Sequence, residues 1–140
     1  MNHPPAAISQ HAALIYTMVL ASAVDGRMPT NELGLIGRLV RQLPIFSGFD
    51  IETLTETAQE CAVILQTANG LDRVLSLIAE ALPPNLRETA YLVACEIAAA
   101  DRRLPFEEMR LLQKLRQALE LDRLIAGAIE RATTVRLAIA

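Results

Sequence analysis

Tryptophan is absent from these 140 residues, and only three Phe and two Tyr are present. So low an aromatic content disfavours a strand-rich core, where rings and β-branched side chains fill the pleated surface. Six Gly and seven Pro are too few for a collagen-like or low-complexity chain. The only cysteines, Cys61 and Cys95, each sit alone in an apolar run, without CxxC spacing and far in sequence from either His. That argues against a disulfide scaffold and a zinc site, and reads as two buried free thiols in a reducing, cytoplasmic compartment. Blocks of like charge are also missing: 13 basic and 16 acidic residues are well mixed, for a net charge of -3. Such a chain lacks the electrostatic footprint of a nucleic-acid binder. The two histidines, His3 and His11, lie near an N-terminus expected to fray, so Ser-His-Asp or Cys-His catalysis has no obvious base. Gly26, Gly34 and Gly37 fit neither GxGxxG nor P-loop spacing. Together these absences predict a chain that is not an enzyme.

What the chain does have is aliphatic mass. Hydrophobic residues make up 52% of it, with 22 Ala and 22 Leu supplying most of that content. Ala and Leu are strong helix formers, so the composition predicts an all-α fold. A single domain of this length removes roughly two thirds of its unfolded surface from water and needs no staple. We therefore expect one helical domain over residues 1–140, with residues 1–8 flexible. Ala12 to Val24 is a 13-residue apolar stretch, and Ala21-Ser22-Ala23 mimics a signal-peptidase site. No Lys or Arg precedes it, however, and it falls short of the roughly 20 residues that span a bilayer. The expectation is a core helix and no transmembrane segment.

An internal recurrence organises the chain. Asp25-Gly-Arg-Met-Pro-Thr-Asn-Glu32-Leu-Gly-Leu35 and Asp101-Arg-Arg-Leu-Pro-Phe-Glu-Glu108-Met-Arg-Leu111 share Asp, Arg, Pro, Glu and Leu at identical offsets. The register extends to Leu39/Leu115 and Leu43/Leu119, and upstream it pairs the run from Ala12 with Glu88 to Ala100. Each unit reads as helix, tight loop, helix. The upstream helix is apolar on nearly every side and belongs in the centre of the core. Gly26 suits a left-handed C-cap, Pro29 a first turn, and Glu32 the positive end of the next helix. Leu35, Ile36, Leu39, Val40 and Leu43 form a helical stripe, as do Leu111, Leu112, Leu115 and Leu119. Between the units, Asp50 is an N-cap for a helix to about Ala68, Asn69-Gly70 breaks it, and a shorter helix covers Leu71 to about Leu82. Pro83-Pro84 is a hard stop, and Asn85 with Glu88 forms a capping-box-like start for the next helix. A last helix runs from about Asp122 into Ile139. The total is seven helices.

The acids at matched positions, Asp25, Glu32, Asp101 and Glu108, are the candidate site. Each Asp ends one helix and each Glu starts the next, so a short loop can bring them together. If the two units pack face to face, the four share one neighbourhood. Clustered carboxylate oxygens suit Ca²⁺, Mg²⁺ or Mn²⁺. An EF-hand is excluded, because its loop needs 12 residues with acids at fixed alternate positions. Helix capping and pairing with Arg27 and Arg103 form the structural alternative. Glu96 lies near Asp101 but matches Leu20, so it cannot belong to a symmetric site.

The duplicated helix-Asp-Gly-x-apolar-x-x-x-Glu pattern, over about residues 10 to 122, resembles the TerB-like family and the related N-terminal domain of DjlA-type membrane cochaperones. Ala-Val-Asp25-Gly26-Arg-Met-Pro-Thr-Asn-Glu32 follows the family pattern closely, whereas Ala-Ala-Asp101-Arg102-Arg-Leu-Pro-Phe-Glu-Glu108 carries Arg102 where the family has Gly. The resemblance implies an all-α domain of about seven helices, without catalysis, in a bacterial stress response of the tellurite-resistance type. It also implies a divalent cation held at Asp25, Glu32, Asp101 and Glu108. The alternative expectation is an interaction module with a protein partner, envelope-associated, or with a second copy. Its surface is then the amphipathic segment Arg131 to Ala140, though a docked core helix is preferred for that segment.

Overall fold

The computed structural model describes residues 7–22, 30–100 and 109–140. Among these residues the chain forms seven α-helices, two short 3₁₀ turns and no strand. The helices are α1 (Gln10–Ser22), α2 (Thr30–Gln42), α3 (Leu54–Leu65), α4 (Gly70–Ala81), α5 (Pro84–Ala99), α6 (Arg110–Ala118) and α7 (Arg123–Arg136). The 3₁₀ turns are Pro44–Phe46 and Ile51–Thr53.

The apolar stretch expected at the centre is there as α1. Every residue from Ala13 to Ser22 is buried, which matches its lack of a polar face. Helices α2 to α6 all contact it, α5 most extensively and then α3 and α4. Two of its buried hydroxyls are satisfied within the helix: Thr17 Oγ1 donates to the Ala13 carbonyl at 2.8 Å and Ser22 Oγ to that of Met18 at 2.9 Å, while the Tyr16 hydroxyl bonds to Glu60 of α3. Ser9 starts the helix, its Oγ accepting from the Ala12 N–H at 3.0 Å. Helix α5 is the second core helix; it packs on α1, carries α7 on another side, and buries both Tyr91 and Cys95.

The apolar stripes fold inward as their spacing dictates. Ile36, Leu39 and Val40 of α2 are buried, with Leu35 and Leu43 half-buried. Leu112 and Leu115 of α6, and Leu119 just beyond it, are buried, and Leu111 is half-buried. Each stripe therefore seals one flank of the α1–α5 pair.

Helix ends depart from the sequence reading in three places. Asp50 is a cap, accepting from the Glu52 N–H at 3.0 Å, but it caps the 3₁₀ turn Ile51–Thr53, and α3 stops at Leu65 rather than about Ala68. Asn85 is not a cap. Pro84 is the first residue of α5, because a ring-locked φ and a missing N–H cost nothing at that position, and Asn85 falls inside the first turn. The last helix stops at Arg136 instead of reaching Ile139. It is a docked helix but not a core one: only Ala126 and Thr133 are buried.

Two tight joints hold the helices in place. Arg87 of α5 donates to the carbonyls of Ala79 (2.7 Å) and Leu82 (3.0 Å) at the end of α4, and of Leu119 (3.2 Å) at the end of α6. One guanidinium thus satisfies the unpaired carbonyls of two helix C-termini, where a cation is also favoured by the helix dipole. The α3–α4 corner turns on Asn69, whose φ of 57° is left-handed, followed by Gly70. A Cβ on Gly70 would lie 2.3 Å from the Ile64 carbonyl oxygen and 2.7 Å from that of Leu65. Because backbone rather than a flexible side chain fills that space, Gly70→Ala is expected to destabilise the fold by about 1–3 kcal/mol. Urea denaturation of the two proteins measures this; an unchanged midpoint would refute the reading of the corner.

Candidate functional site

Asp25, Asp101 and Glu108 lie outside the described residues. Glu32 belongs to the first turn of α2, as its spacing from Pro29 predicted, but its side chain also lies outside them. What is described is the frame around these positions. Asp25 follows the end of α1 and Asp101 the end of α5, while Glu108 immediately precedes Met109, the N-cap of α6. The two helices that lead into the aspartates are thus the two that pack most closely on each other. Matched positions also share burial: Ile15 with Tyr91, Val19 with Cys95, Ile36 with Leu112 and Leu39 with Leu115.

Glu96 breaks the match. Leu20 at the equivalent place is buried, whereas the Glu96 carboxylate reaches Arg136 Nη2 of α7 at 2.9 Å. It serves to dock α7, consistent with its exclusion from a symmetric site. The other acids with partners are similarly engaged. Asp50 caps the 3₁₀ turn Ile51–Thr53, Asp122 caps α7, and Glu120 faces Arg87 at 3.7 Å. Among the described residues no group of three or more His, Cys, Asp or Glu is placed to hold a metal ion. The donor set at issue is therefore the four matched carboxylates, whose hard oxygens fit a hard divalent cation and not a thiophilic one.

Sequence reasoning missed a polar hub that joins α5, α6 and α7. Tyr91 donates its hydroxyl to Glu130 Oε2 at 2.5 Å, and Arg116 Nη1 donates to the same oxygen at 2.6 Å and to the Tyr91 oxygen at 3.1 Å. The Tyr91 ring is fully buried, and burial followed by the Glu130 hydrogen bond pushes its pKa well above the ordinary value. Arg116 and Glu130 neutralise each other beside it. The hub lies at the edge of a cleft of about 480 Å³ lined in part by Gln113, Arg116, Arg123, Gly127 and Glu130. With its tyrosine held protonated and its charges paired, it welds three helices and leaves no free base or nucleophile. No sequence signal marked it, since its members come from three separate helices and none is unusual for its own helix.

His11 is not frayed. It sits in α1, half-buried, with Nε2 2.7 Å from the Ile45 carbonyl oxygen, stacked on Phe46 and edge-on to Phe49 at 5.1 Å each. The ring staples the 3₁₀ turn onto the start of α1 and is occupied by that contact. His3 lies outside the described residues.

The two cysteines are buried free thiols, as their apolar settings predicted. Burial pushes the Cys61 and Cys95 thiols up from 9.0 to about 12, and burial with the nearby Glu60 carboxylate pushes Tyr16 up from 10.0 to about 12. All three lose their protons more easily in the unfolded chain. Their contribution to stability is therefore complete below pH 9 and is lost as pH rises towards 12. Urea midpoints are expected to be lower at about pH 11 than at about pH 8, and both thiols to react with an aromatic disulfide reagent at neutral pH only on unfolding. A flat alkaline profile, or rapid native labelling, would contradict the burial of these groups.

With the frame described, the comparisons place the chain. The protein-family model described as Tellurite resistance protein TerB matches residues 11–129. No curated protein and no solved structure gives a significant match. The matched span runs from His11 in α1 to Ile129 in α7, takes in both helix junctions that carry the recurring acids, and covers most of the chain. The chain belongs to the TerB family.

Proposed function

We propose that this protein is a non-catalytic TerB-like stress-response domain of the bacterial cytoplasm that holds a divalent cation through Asp25, Glu32, Asp101 and Glu108. The observation that carries this reading is the recurrence of Asp and Glu, at identical offsets, at both helix junctions of a TerB-family chain. Close packing of α1 on α5 supports it, because the two aspartates follow helices that share one core. Oxygen-only donors support a hard cation such as Ca²⁺, Mg²⁺ or Mn²⁺. When bound, the cation supplies charge neutralisation and a crosslink between the two junctions. The chain's own part is to hold four carboxylates that would otherwise repel one another.

A non-catalytic role is supported by what the reactive groups are doing. Both thiols are buried and protonated, the ring of His11 is taken up by Ile45, and Tyr91 is locked between Arg116 and Glu130. None of the described helices is long and apolar enough to cross a membrane.

Thermal denaturation with millimolar Ca²⁺, Mg²⁺ and Mn²⁺ tests the proposal. A cation present at 100 times its dissociation constant adds about 2.7 kcal/mol, several degrees of melting temperature for a domain of this size. The rise is expected with at least one of these metals and is expected to vanish in the Asp25→Asn, Asp101→Asn double variant. If none of them moves the parent protein, the acids are caps and arginine partners, and the interaction-module alternative holds instead.

A further inference from the structure

Helix α7 is docked by one face only. Ala126 and Thr133 are buried against the bundle, with Ile129 and Glu130 half-buried beside them. The opposite face is apolar too. Leu124 is 83% exposed, Val135 58% and Ile125 38%, and Ile139 beyond the helix end is 76% exposed. Exposed Ala128 and Ala132 lie between them. Within the helix, Ile125, Ala128, Ala132 and Val135 follow the three-four spacing of a seam between paired helices. Scattered surface hydrophobics need no explanation, but a continuous row at seam spacing does.

The charges around this row are of one sign. The exposed charged side chains of α7 are Arg123, Arg131 and Arg136. Its one acid, Glu130, is turned into the hub with Tyr91 and Arg116, and the preceding Asp122 is engaged in capping the helix. At about 100° per residue, Arg131 and Arg136 fall on opposite borders of the apolar row. Arg136 shares its charge with Glu96 yet remains 60% exposed. A second copy would set arginine against arginine along this seam. A lipid surface calls for several bulky anchors; this face offers Leu124 but no Trp or Phe, and alanines occupy the middle of its row and let another backbone approach closely.

We propose that the outward face of α7 binds an amphipathic helix of a partner protein whose apolar seam is bordered by Asp and Glu. The partner's aliphatic side chains pack over Ala128 and Ala132, between the Ile125 and Val135 ends, and its carboxylates meet Arg131 and Arg136. None of the recurring carboxylates belongs to α7, and the proposal does not rest on a cation held by them.

The test titrates the full-length protein into a fluorescent synthetic helix with Leu at seam positions and Glu on both borders, and into the same helix carrying Lys there. Fluorescence anisotropy is expected to give micromolar binding of the Glu helix and binding of the Lys helix at least roughly tenfold weaker. Arg131→Glu is expected to narrow or reverse that preference, and Val135→Glu to remove binding of both helices. Both residues are exposed, so melting temperatures near that of the parent protein verify that the variants fold. The Asp25→Asn, Asp101→Asn variant is expected to bind the Glu helix normally. Equal affinity for the two helices, or no binding of either, would overturn the proposal. So would self-association in sedimentation that Val135→Glu abolishes, which would give the face to a second copy. Vesicle binding that Val135→Glu abolishes, without helix binding, would give it to a lipid surface.

Discussion

A helix without a polar face persists in water only when other helices enclose it, and α1 is such a helix. Ten consecutive residues, Ala13 to Ser22, are buried, and the hydroxyls of Thr17 and Ser22 bond to its own backbone. That constraint sets the rest of the architecture. Helices α2 to α6 each contribute one apolar stripe to the enclosure, and α5, itself largely buried, hands its remaining surface to α7. A core filled with Leu, Ile, Val and Ala in this way needs few rings, which is how a chain without Trp still packs.

The enclosure leaves polar work for the ends of the helices, and a few side chains carry it. Arg87 ties the last carbonyls of α4 and α6 to α5, the Tyr91–Arg116–Glu130 hub ties α6 and α7 to the same helix, and His11 pins the 3₁₀ turn after α2 against α1. Helix α5 is therefore mechanically central as well as buried. The helix junctions that carry Asp25 and Glu32, and Asp101 and Glu108, hang from the two most enclosed helices of the molecule. A cation held there would brace the core rather than perform chemistry. Helix α7, docked on α5 by one side, is left with a second apolar face, a surface for a partner.

Most of the fold was legible because helical periodicity is a local property. The apolar run of α1, the stripes of α2 and α6, the break at Asn69-Gly70 and the stop at Pro83-Pro84 each announce themselves within a few residues. The errors arose where two local signals competed. Asn85 looks like a cap until Pro84, better suited to a first turn, takes the start of α5, and a 3₁₀ turn intervenes between the Asp50 cap and α3. The hub and the Arg87 clamp were illegible for a different reason. Their partners are separated by up to 39 residues and meet only once the helices have packed. The candidate acids were legible by recurrence alone, which reveals matched positions but carries no information about whether four side chains converge.

That convergence is the central claim, and anomalous diffraction from crystals of the protein grown with Mn²⁺ measures it directly. The account predicts one strong anomalous peak with carboxylate oxygens of Asp25, Glu32, Asp101 and Glu108 at coordinating distance around it. Four carboxylates turned to separate partners, such as Arg27, Arg103 or the N–H groups of helix starts, with no peak between them, would contradict it.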